Sequence, residues 1–196
     1  EAKIVASGRT DRGVHATGQV CHIEVPPYWS NLEKLRTSIN KIVGPSILIK
    51  KIKSVDEGFH ARYSAKKRLY RYIIKSGSSN PFEESFVTFL QDVDFATLQE
   101  KIKLFCGTHD FRFFMKNGSD VKSTTRVIYR AFAYKHRGYI ILNFEANGFL
   151  RSQIRLMVGA LLALSSEQIT QQLACKTKYK IKPAPSNGLY LSKIKY

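Results

Sequence analysis

The chain has 196 residues, and 32 lysines and arginines against 15 aspartates and glutamates give it a formal net charge of +17 at pH 7. Hydrophobic residues make up 43% of the sequence, which is enough for a packed core and excludes a disordered tail. The longest apolar stretch, Leu156 to Leu164, is too short to cross a bilayer, so we expect no membrane partner.

Regular elements are predicted in chain order from hydrophobic spacing and helix-capping residues. Val20–Val25 has the composition of a short strand. Ser30 and Glu33 have the spacing of a capping box, and they precede apolar residues at helical spacing that end at Gly44. Ile47–Ile52, in which apolar and basic residues alternate, is predicted as a further strand.

The rest of the chain predicts a longer series of elements. Asp94 is expected to cap a helix that Gly107 ends, and Arg137-Gly138 is expected to turn a β-hairpin. The other predicted elements are strands at Leu69–Ile74, Arg126–Tyr134, Tyr139–Glu145 and Leu189–Ile194, and helices at Ile154–Leu164 and Glu167–Cys175.

This order of elements predicts an α+β fold with largely antiparallel strands. We expect two unequal halves, an N-terminal half at residues 1–63 and a C-terminal half at residues 64–196. The first half is short, and we expect that a segment preceding it is missing from the sequence.

The charge predicts a partner that carries phosphates. Basic residues are spread along the whole chain, and each phosphate that they neutralise releases counterions, which favours binding to nucleic acid. Such a charge could also serve solubility or attraction to an anionic membrane surface.

Cysteine usage indicates the compartment. Cys21, Cys106 and Cys175 are odd in number and widely spaced, so we predict buried free thiols in a reducing cytoplasm rather than a disulfide framework. No basic start followed by an apolar run is present at residues 1–10, so no signal peptide is predicted there.

The segment at residues 7–20, Ser-Gly-Arg-Thr-Asp-Arg-Gly-Val-His-Ala-Thr-Gly-Gln-Val, is the densest in chemically active residues. Its glycines let the backbone approach a ligand, and it presents Asp11 between two arginines. Taken alone, such a loop is most often a simple connector. The spacing of Gly13 and Gly18 matches a P-loop, but Gln19-Val20 replaces the Lys-Ser/Thr pair, so nucleotide triphosphate binding is rejected.

A metal site is the remaining alternative for this segment. Asp11, His15 and His22 could be drawn as ligands, yet their spacing matches no recognised metal motif. We therefore expect no metal.

Residues 8–16, Gly-Arg-Thr-Asp-Arg-Gly-Val-His-Ala, resemble the signature of the TruA family of tRNA pseudouridine synthases. Segments similar to other family motifs follow in the family's order, at Phe59–Ala65, Tyr70–Ile74, Gly107–Phe111, Ala146–Leu150 with Arg155 and Val158-Gly159, and Asn187–Leu191. The resemblance therefore covers essentially the whole chain.

The resemblance implies roles for individual residues. Asp11 matches the family's catalytic aspartate, Tyr70 the tyrosine that stacks on the target uracil and takes part in removing its C5 proton, and Arg155 the arginine that ion-pairs with the aspartate. Arg151, one helical turn before Arg155, is expected to meet a phosphate. Leu189 matches an apolar residue that lines the uracil pocket. Contact with the RNA or support of the loop is implied for Arg9, His15, Arg62 and Phe149.

The resemblance also implies the reaction and the fold. Family members are homodimers that convert uridine to pseudouridine at positions 38 to 40 of the tRNA anticodon arm, and they have the pseudouridine synthase fold. In that fold two RRM-like halves, with helices on one face, join their sheets across a basic cleft. The reaction breaks N1–C1′ and forms C5–C1′, so one carboxylate and one weak base suffice and no cofactor is expected. Attack at C6, attack at C1′ and a glycal route all remain open.

The sequence departs from the family pattern in two places. The family's opening strand with its Tyr-Asp-Gly segment has no match, and Arg151-Ser152 stands where many members have two histidines. The alternative function is a non-catalytic RRM-like RNA-binding module, because residues 137–144 partly resemble an RRM strand whose exposed aromatics stack on bases. Asp11 separates the two hypotheses, since a pure binder has no use for an acid in a basic groove.

Overall fold

The computed structural model describes residues 3–116, 118 and 121–196. By their contacts these residues form two compact units, one made of residues 3–7 with Val20–Ser64 and the other of Gly8–Gln19 with Ala65–Tyr196. The loop that carries Asp11 thus makes its contacts within the second unit, although it lies within residues 1–63. The predicted division into halves at residues 63 and 64 stays a prediction.

The elements of the described residues are numbered in chain order. The strands are β1 (Val5–Ala6), β2 (His15–Ala16), β3 (Cys21–His22), β4 (Lys67–Ser76), β5 (Thr88–Leu90), β6 (Gly107–Asp110), β7 (Thr125–His136), β8 (Tyr139–Ala146) and β9 (Leu189–Lys195). The α-helices are α1 (Leu32–Val43), α2 (Phe95–Lys101), α3 (Gln153–Ala163) and α4 (Ser166–Leu173), and short 3₁₀ helices lie at Ile102–Phe105 and Arg112–Phe114.

The first unit is built on α1 and on the small antiparallel pair of β1 and β3. The predicted strand at Val20–Val25 shortens to the two residues of β3. The helix is confirmed, but its cap is Asn31 instead of Ser30, because the Asn31 side chain accepts a hydrogen bond from the Lys34 amide at 2.9 Å.

The predicted strand at Ile47–Ile52 is wrong. Both backbone groups of Ile49 are bonded to the side-chain amide of Asn40, at 2.6 Å from the Ile49 nitrogen and 3.0 Å from its carbonyl oxygen. These bonds occupy the groups that a neighbouring strand would need, so alternation of residue types alone does not make a strand here.

The second unit contains a seven-stranded sheet. Its strand order is β2-β9-β4-β8-β7-β6, and β5 pairs with the end of β4. The pairs β2–β9 and β4–β5 are parallel, and the others are antiparallel. The predicted α+β class with largely antiparallel strands is confirmed.

The β7–β8 hairpin is confirmed at its predicted turn. His136 pairs with Tyr139, and the two residues between them have positive φ, 48° at Arg137 and 81° at Gly138. Two consecutive left-handed residues match the right-handed twist of the flanking strands, which explains why a glycine is needed there.

The helix at Asp94 is confirmed at its start and differs at its end. The Asp94 side chain accepts from the Thr97 amide at 3.2 Å, as a cap should. The helix then tightens into the 3₁₀ turn at Ile102–Phe105, and Gly107 begins β6 rather than ending a helix.

The core of the second unit packs sheet residues such as Tyr72 and Phe144 against α3, which is buried on nearly all sides. A side chain at Gly159 would bring its Cβ within 2.1 Å of the Lys182 carbonyl oxygen, so only glycine lets α3 lie this close to the segment before β9. No helix in the described ranges is long and apolar enough to span a membrane.

The cysteine prediction is half wrong. All three thiols are free, but Cys21 and Cys106 are exposed and Cys175 is half-buried.

Candidate active site

The loop that carries Asp11 is held along one edge of the second unit's sheet. Its strand β2 pairs in parallel with β9, with His15 opposite Tyr190. The amides of Thr17 and Gly18 both donate to the Leu191 carbonyl, at 2.9 and 3.1 Å. A Cβ at Gly18 would lie 2.2 Å from the Ser192 carbonyl oxygen, so the loop reaches β9 only because this residue is glycine.

Two side chains from the start of α3 contact the Asp11 carboxylate. Arg155 Nη1 lies 3.6 Å from Asp11 Oδ2, and the Ser152 hydroxyl donates to the same oxygen at 2.9 Å. The Asp11 side chain stays 39% exposed, while that of Arg155 is 21% exposed. The carboxylate is therefore held on one side and open to an incoming group on the other.

Arg155 is itself anchored. Its Nε donates to the Ala184 carbonyl at 2.7 Å, and the Ala184 amide donates to the Arg155 carbonyl at 2.9 Å. The planar guanidinium can make both the Ala184 bond and the Asp11 contact because its donors point in different directions.

Tyr70 and Phe149 form an aromatic pair in the same unit. Their rings meet edge to face, with centroids 5.3 Å apart and an angle of 84° between the planes. Burial raises the pKa of the Tyr70 phenol; the positive charge of Arg68 opposes this rise and the negative charge of Asp11 adds to it. The neutral phenol is thus the form that this environment favours.

Tyr72, two residues after Tyr70 on β4, has a structural role. Its hydroxyl is within 2.7 Å of Thr88 Oγ1 and donates to the Pro185 carbonyl at 2.9 Å. Burial raises the pKa of Tyr72 to about 12, against the lowering effects of the Thr88 hydrogen bond and the charge of Arg155. Tyr72 therefore stays neutral.

Two leucines of β9 pair with the two tyrosines of β4. Leu189 is 6% exposed and lies opposite Tyr72, whereas Leu191 lies opposite Tyr70. Leu189 belongs to the core cluster against which Tyr70 and Phe149 pack. Leu191, which the sequence pattern did not single out, is thus the β9 residue in register with Tyr70.

The other predicted site residues make their contacts away from the Asp11 carboxylate. His15 Nε2 is 2.8 Å from the Ser85 carbonyl oxygen, and the ring stacks on Tyr190 at 4.8 Å, so its contacts tie the loop to its support. Arg9 and Arg151 are exposed. Arg62 belongs to the first unit, where its guanidinium lies 5.7 Å from the centre of the Tyr63 ring.

Ser152 is the site residue that sequence reasoning missed. It occupies the N-cap of α3 with φ of 58°, a left-handed conformation that no local sequence pattern predicts for serine. The signals in the sequence were its position one turn before Arg155 and its place where many family members have a histidine. Within the described ranges, no group of three or more histidine, cysteine, aspartate or glutamate side chains is placed to hold a metal ion.

The resemblance of residues 137–144 to an RRM base-stacking strand finds no support in the side chains. Phe144 is fully buried in the core, and the Tyr139 hydroxyl donates to Glu83. The Phe144 ring is therefore closed to a base, and the half-buried Tyr139 is held at Glu83 through its hydroxyl.

Fold and site together define a class of protein, an α+β protein in which a glycine-rich loop places a partly exposed carboxylate beside an arginine, with a half-buried tyrosine in the same unit. A family model described as tRNA pseudouridine synthase matches residues 102–196. A protein named tRNA pseudouridine synthase A from Campylobacter jejuni is 41% identical over 198 residues, which cover 98% of this chain and 82% of that protein.

Further relatives with the same name support the match. The protein from Wolinella succinogenes is 41% identical over 200 residues, covering all of this chain and 79% of the relative. The one from Helicobacter hepaticus is 35% identical over 205 residues, covering all of this chain and 83% of the relative. The chain belongs to the tRNA pseudouridine synthase A (TruA) family, a family of isomerases.

Proposed function

We propose that this protein converts uridine to pseudouridine in the anticodon stem-loop of tRNA, at positions 38 to 40, with Asp11 as the nucleophile and without metal or cofactor. The observation that carries the proposal is the partly exposed Asp11 carboxylate, contacted on Oδ2 by Arg155 and Ser152. Relatives named tRNA pseudouridine synthase A that are 41% identical to this chain support the reaction and the RNA.

The target base has to leave its stack before it can be turned. An enzyme that acts on a base inside a stem extrudes it into a pocket and packs it against aromatic or apolar side chains. Tyr70, in its edge-to-face contact with Phe149, supplies such a surface, and the core cluster that contains Leu189 supports the two rings from behind. The flipped uracil then lies within reach of the Asp11 loop.

Asp11 starts the isomerisation. Its carboxylate attacks C1′ as the N1–C1′ bond breaks, or adds to C6 of the uracil, or stabilises the charge of a glycal route. In each route the freed base rotates and C5 bonds to C1′. A bond from Asp11 to C1′ breaks as C5 attacks, and a bond from Asp11 to C6 breaks by elimination afterwards, so the carboxylate is returned and no external atom enters. Arg155 keeps the carboxylate oriented through these steps because it is anchored at Ala184.

Tyr70 completes the reaction by moving one proton. C5 must lose its proton after the new bond has formed, and N1 gains one in the product. Since burial favours the neutral phenol, the Tyr70 oxygen accepts the C5 proton as its own proton is handed on toward N1. The proton count is then balanced without a cofactor.

We extend the proposal to the assembly on the basis of the family resemblance. The protein acts in the cytoplasm as a homodimer, and its two halves have RRM-like topology. The net charge of +17 supports binding to a polyanion such as tRNA. Sedimentation equilibrium measures the dimer directly.

The test is tritium release from C5-tritiated uridine in unmodified tRNA, for wild type and for Asp11→Asn. We expect release by wild type, none by D11N, and tRNA affinities that agree within about threefold, because the amide keeps the shape and loses the nucleophile. Asp92→Asn, at an exposed aspartate of the same unit, is the matched control and should retain activity.

Several outcomes would contradict the proposal. Full release by D11N would remove Asp11 as nucleophile. Tight tRNA binding without release by wild type would favour the non-catalytic RNA-binding module. Substrates with a single uridine at position 38, 39 or 40 test the proposed sites, and release from a uridine elsewhere would overturn that assignment.

A further inference from the structure

Ser152 has a backbone conformation that serine normally avoids. Its φ of 58° and ψ of 11° lie in the left-handed region, where glycine is at ease and asparagine is tolerated better than other residues. Such conformations persist where the surrounding structure holds them, and they cluster at functional sites. The residue lies at the start of α3, one turn before Arg155.

The side chain of Ser152 does not do what other helix caps in this chain do. Asn31, Asp94 and Ser165 each accept a hydrogen bond from the amide three residues later. Ser152 makes no such bond, and its hydroxyl donates to Asp11 Oδ2 at 2.9 Å instead.

The turn into α3 is closed by a different side chain. Gln153 is buried. Its side-chain Oε1 accepts a hydrogen bond from the Leu150 backbone amide at 2.8 Å, and its backbone amide donates to the Leu150 carbonyl at 3.1 Å. The helix start therefore keeps its hydrogen bonds without help from the Ser152 hydroxyl. The left-handed backbone of Ser152 therefore serves the hydrogen bond of its hydroxyl to Asp11 rather than the capping of α3.

We propose that Ser152 is a positioning residue that fixes the rotation of the Asp11 carboxylate and presents Oδ1 to the uridine. Ser152 donates a hydrogen bond to Oδ2 and Arg155 forms an ion pair with the same oxygen, so Oδ2 is held and Oδ1 is left for the reacting carbon. This inference rests on the proposed function, because it assigns a task to the nucleophile of that reaction.

Two substitutions distinguish the effect of the Ser152 hydroxyl from the effect of the left-handed backbone. Ser152→Gly removes the donor and suits the left-handed backbone, so it deletes the contact without adding strain. Ser152→Asn keeps a donor, its side-chain N–H, and tolerates the same backbone. Ser165→Gly is the matched control, because Ser165 is also an N-cap serine but bonds only within its own helix start.

The measurements are kcat and KM in the tritium-release assay, tRNA affinity and thermal unfolding. We expect S152G to lower kcat about tenfold to a hundredfold, the usual cost of losing a hydrogen bond to a charged group, with KM changed less than about twofold. S152N should regain kcat to within about threefold of wild type, and S165G should leave kcat unchanged.

Other outcomes would overturn either this inference or the proposed function. A kcat for S152G within about twofold of wild type would overturn the inference, and so would a loss confined to KM. If S152G unfolds at a lower temperature, S152N decides: recovery of the unfolding temperature without recovery of kcat would overturn it. Absence of release by wild type would instead overturn the proposed function, so the two failures are distinguishable.

Discussion

Arg155 and Ala184 are joined by two hydrogen bonds of opposite direction, one from the Arg155 Nε to the Ala184 carbonyl at 2.7 Å and one from the Ala184 amide to the Arg155 carbonyl at 2.9 Å. Side chain and backbone of the arginine are thus tied to the same residue, in the segment that leads into β9. The contact of Arg155 with Asp11 therefore depends on a part of the chain that carries no catalytic group.

The first prediction concerns the shape of this cation. Arg155→Lys keeps the charge, but a single ammonium cannot reproduce the planar fork that faces both Ala184 and Asp11. We expect kcat to fall about tenfold to a hundredfold in the tritium-release assay. Arg36→Lys, at the exposed ion pair with Glu33 on α1, is the control and should be fully active. Full activity of R155K would mean that charge alone suffices.

The second prediction concerns the protonation of Tyr70. Burial raises the pKa of this phenol, so it remains protonated between pH 7 and about pH 9. The single-turnover rate should show no rise from phenolate formation in this interval. A rate that increased tenfold per pH unit would identify the phenolate as the working form and contradict proton transfer through the neutral phenol.

The Tyr70 hydroxyl can also be removed. Tyr70→Phe keeps the ring contact with Phe149 and should lower the single-turnover rate about 10²- to 10⁴-fold with tRNA affinity unchanged. Tyr72→Phe on the same strand is the control. It loses the hydrogen bonds to Thr88 and Pro185, so it should lower the free energy of unfolding by about 1–2 kcal/mol. The single-turnover rate of this control should fall by less than about threefold.

The third prediction tests the close approach of the Asp11 loop to β9. Gly18→Ala would place a Cβ 2.2 Å from the Ser192 carbonyl oxygen, so the loop has to move. We expect a loss of about 1–3 kcal/mol in the free energy of unfolding by urea, together with reduced tritium release. Gly8→Ala in the same loop meets nothing within 4 Å and should leave stability nearly unchanged. Equal stability of the two variants would disprove the steric argument.

The fourth prediction concerns stability and pH. Burial opposes the charged form of Glu145, but Lys195 at 3.0 Å and Lys67 at 3.4 Å together outweigh it and lower the pKa of the carboxyl. A lowered pKa means that this stabilisation is complete above the ordinary glutamate value of about 4.3 and is lost as the pH falls through the folded-state pKa.

Glu145→Gln checks this sign. At pH 7 the variant should be about 1–3 kcal/mol less stable than wild type in urea unfolding, and the difference should shrink below about pH 4. Glu33→Gln, at an exposed glutamate on α1, should show no measurable change. A difference that grew toward low pH would contradict the lowered pKa.

Local patterns predicted many of the elements correctly. The cap at Asp94 and the turn at Arg137-Gly138 involve residues next to each other in the chain, so their hydrogen bonds and dihedral preferences are readable from the sequence. Ile47–Ile52 failed as a strand because a strand needs a partner, and Asn40 supplies the hydrogen bonds instead.

The sequence by itself determined the α+β class, the basic charge and, through family resemblance, Asp11, Tyr70 and Arg155 as candidates. Only the tertiary structure decided how they meet. Asp11 and Ser152 are separated by 141 positions, and their contact depends on the pairing of β2 with β9 and on the left-handed backbone before α3. Side-chain periodicity reports which face of an element is buried, whereas the packing of distant segments sets which oxygen of a carboxylate is held.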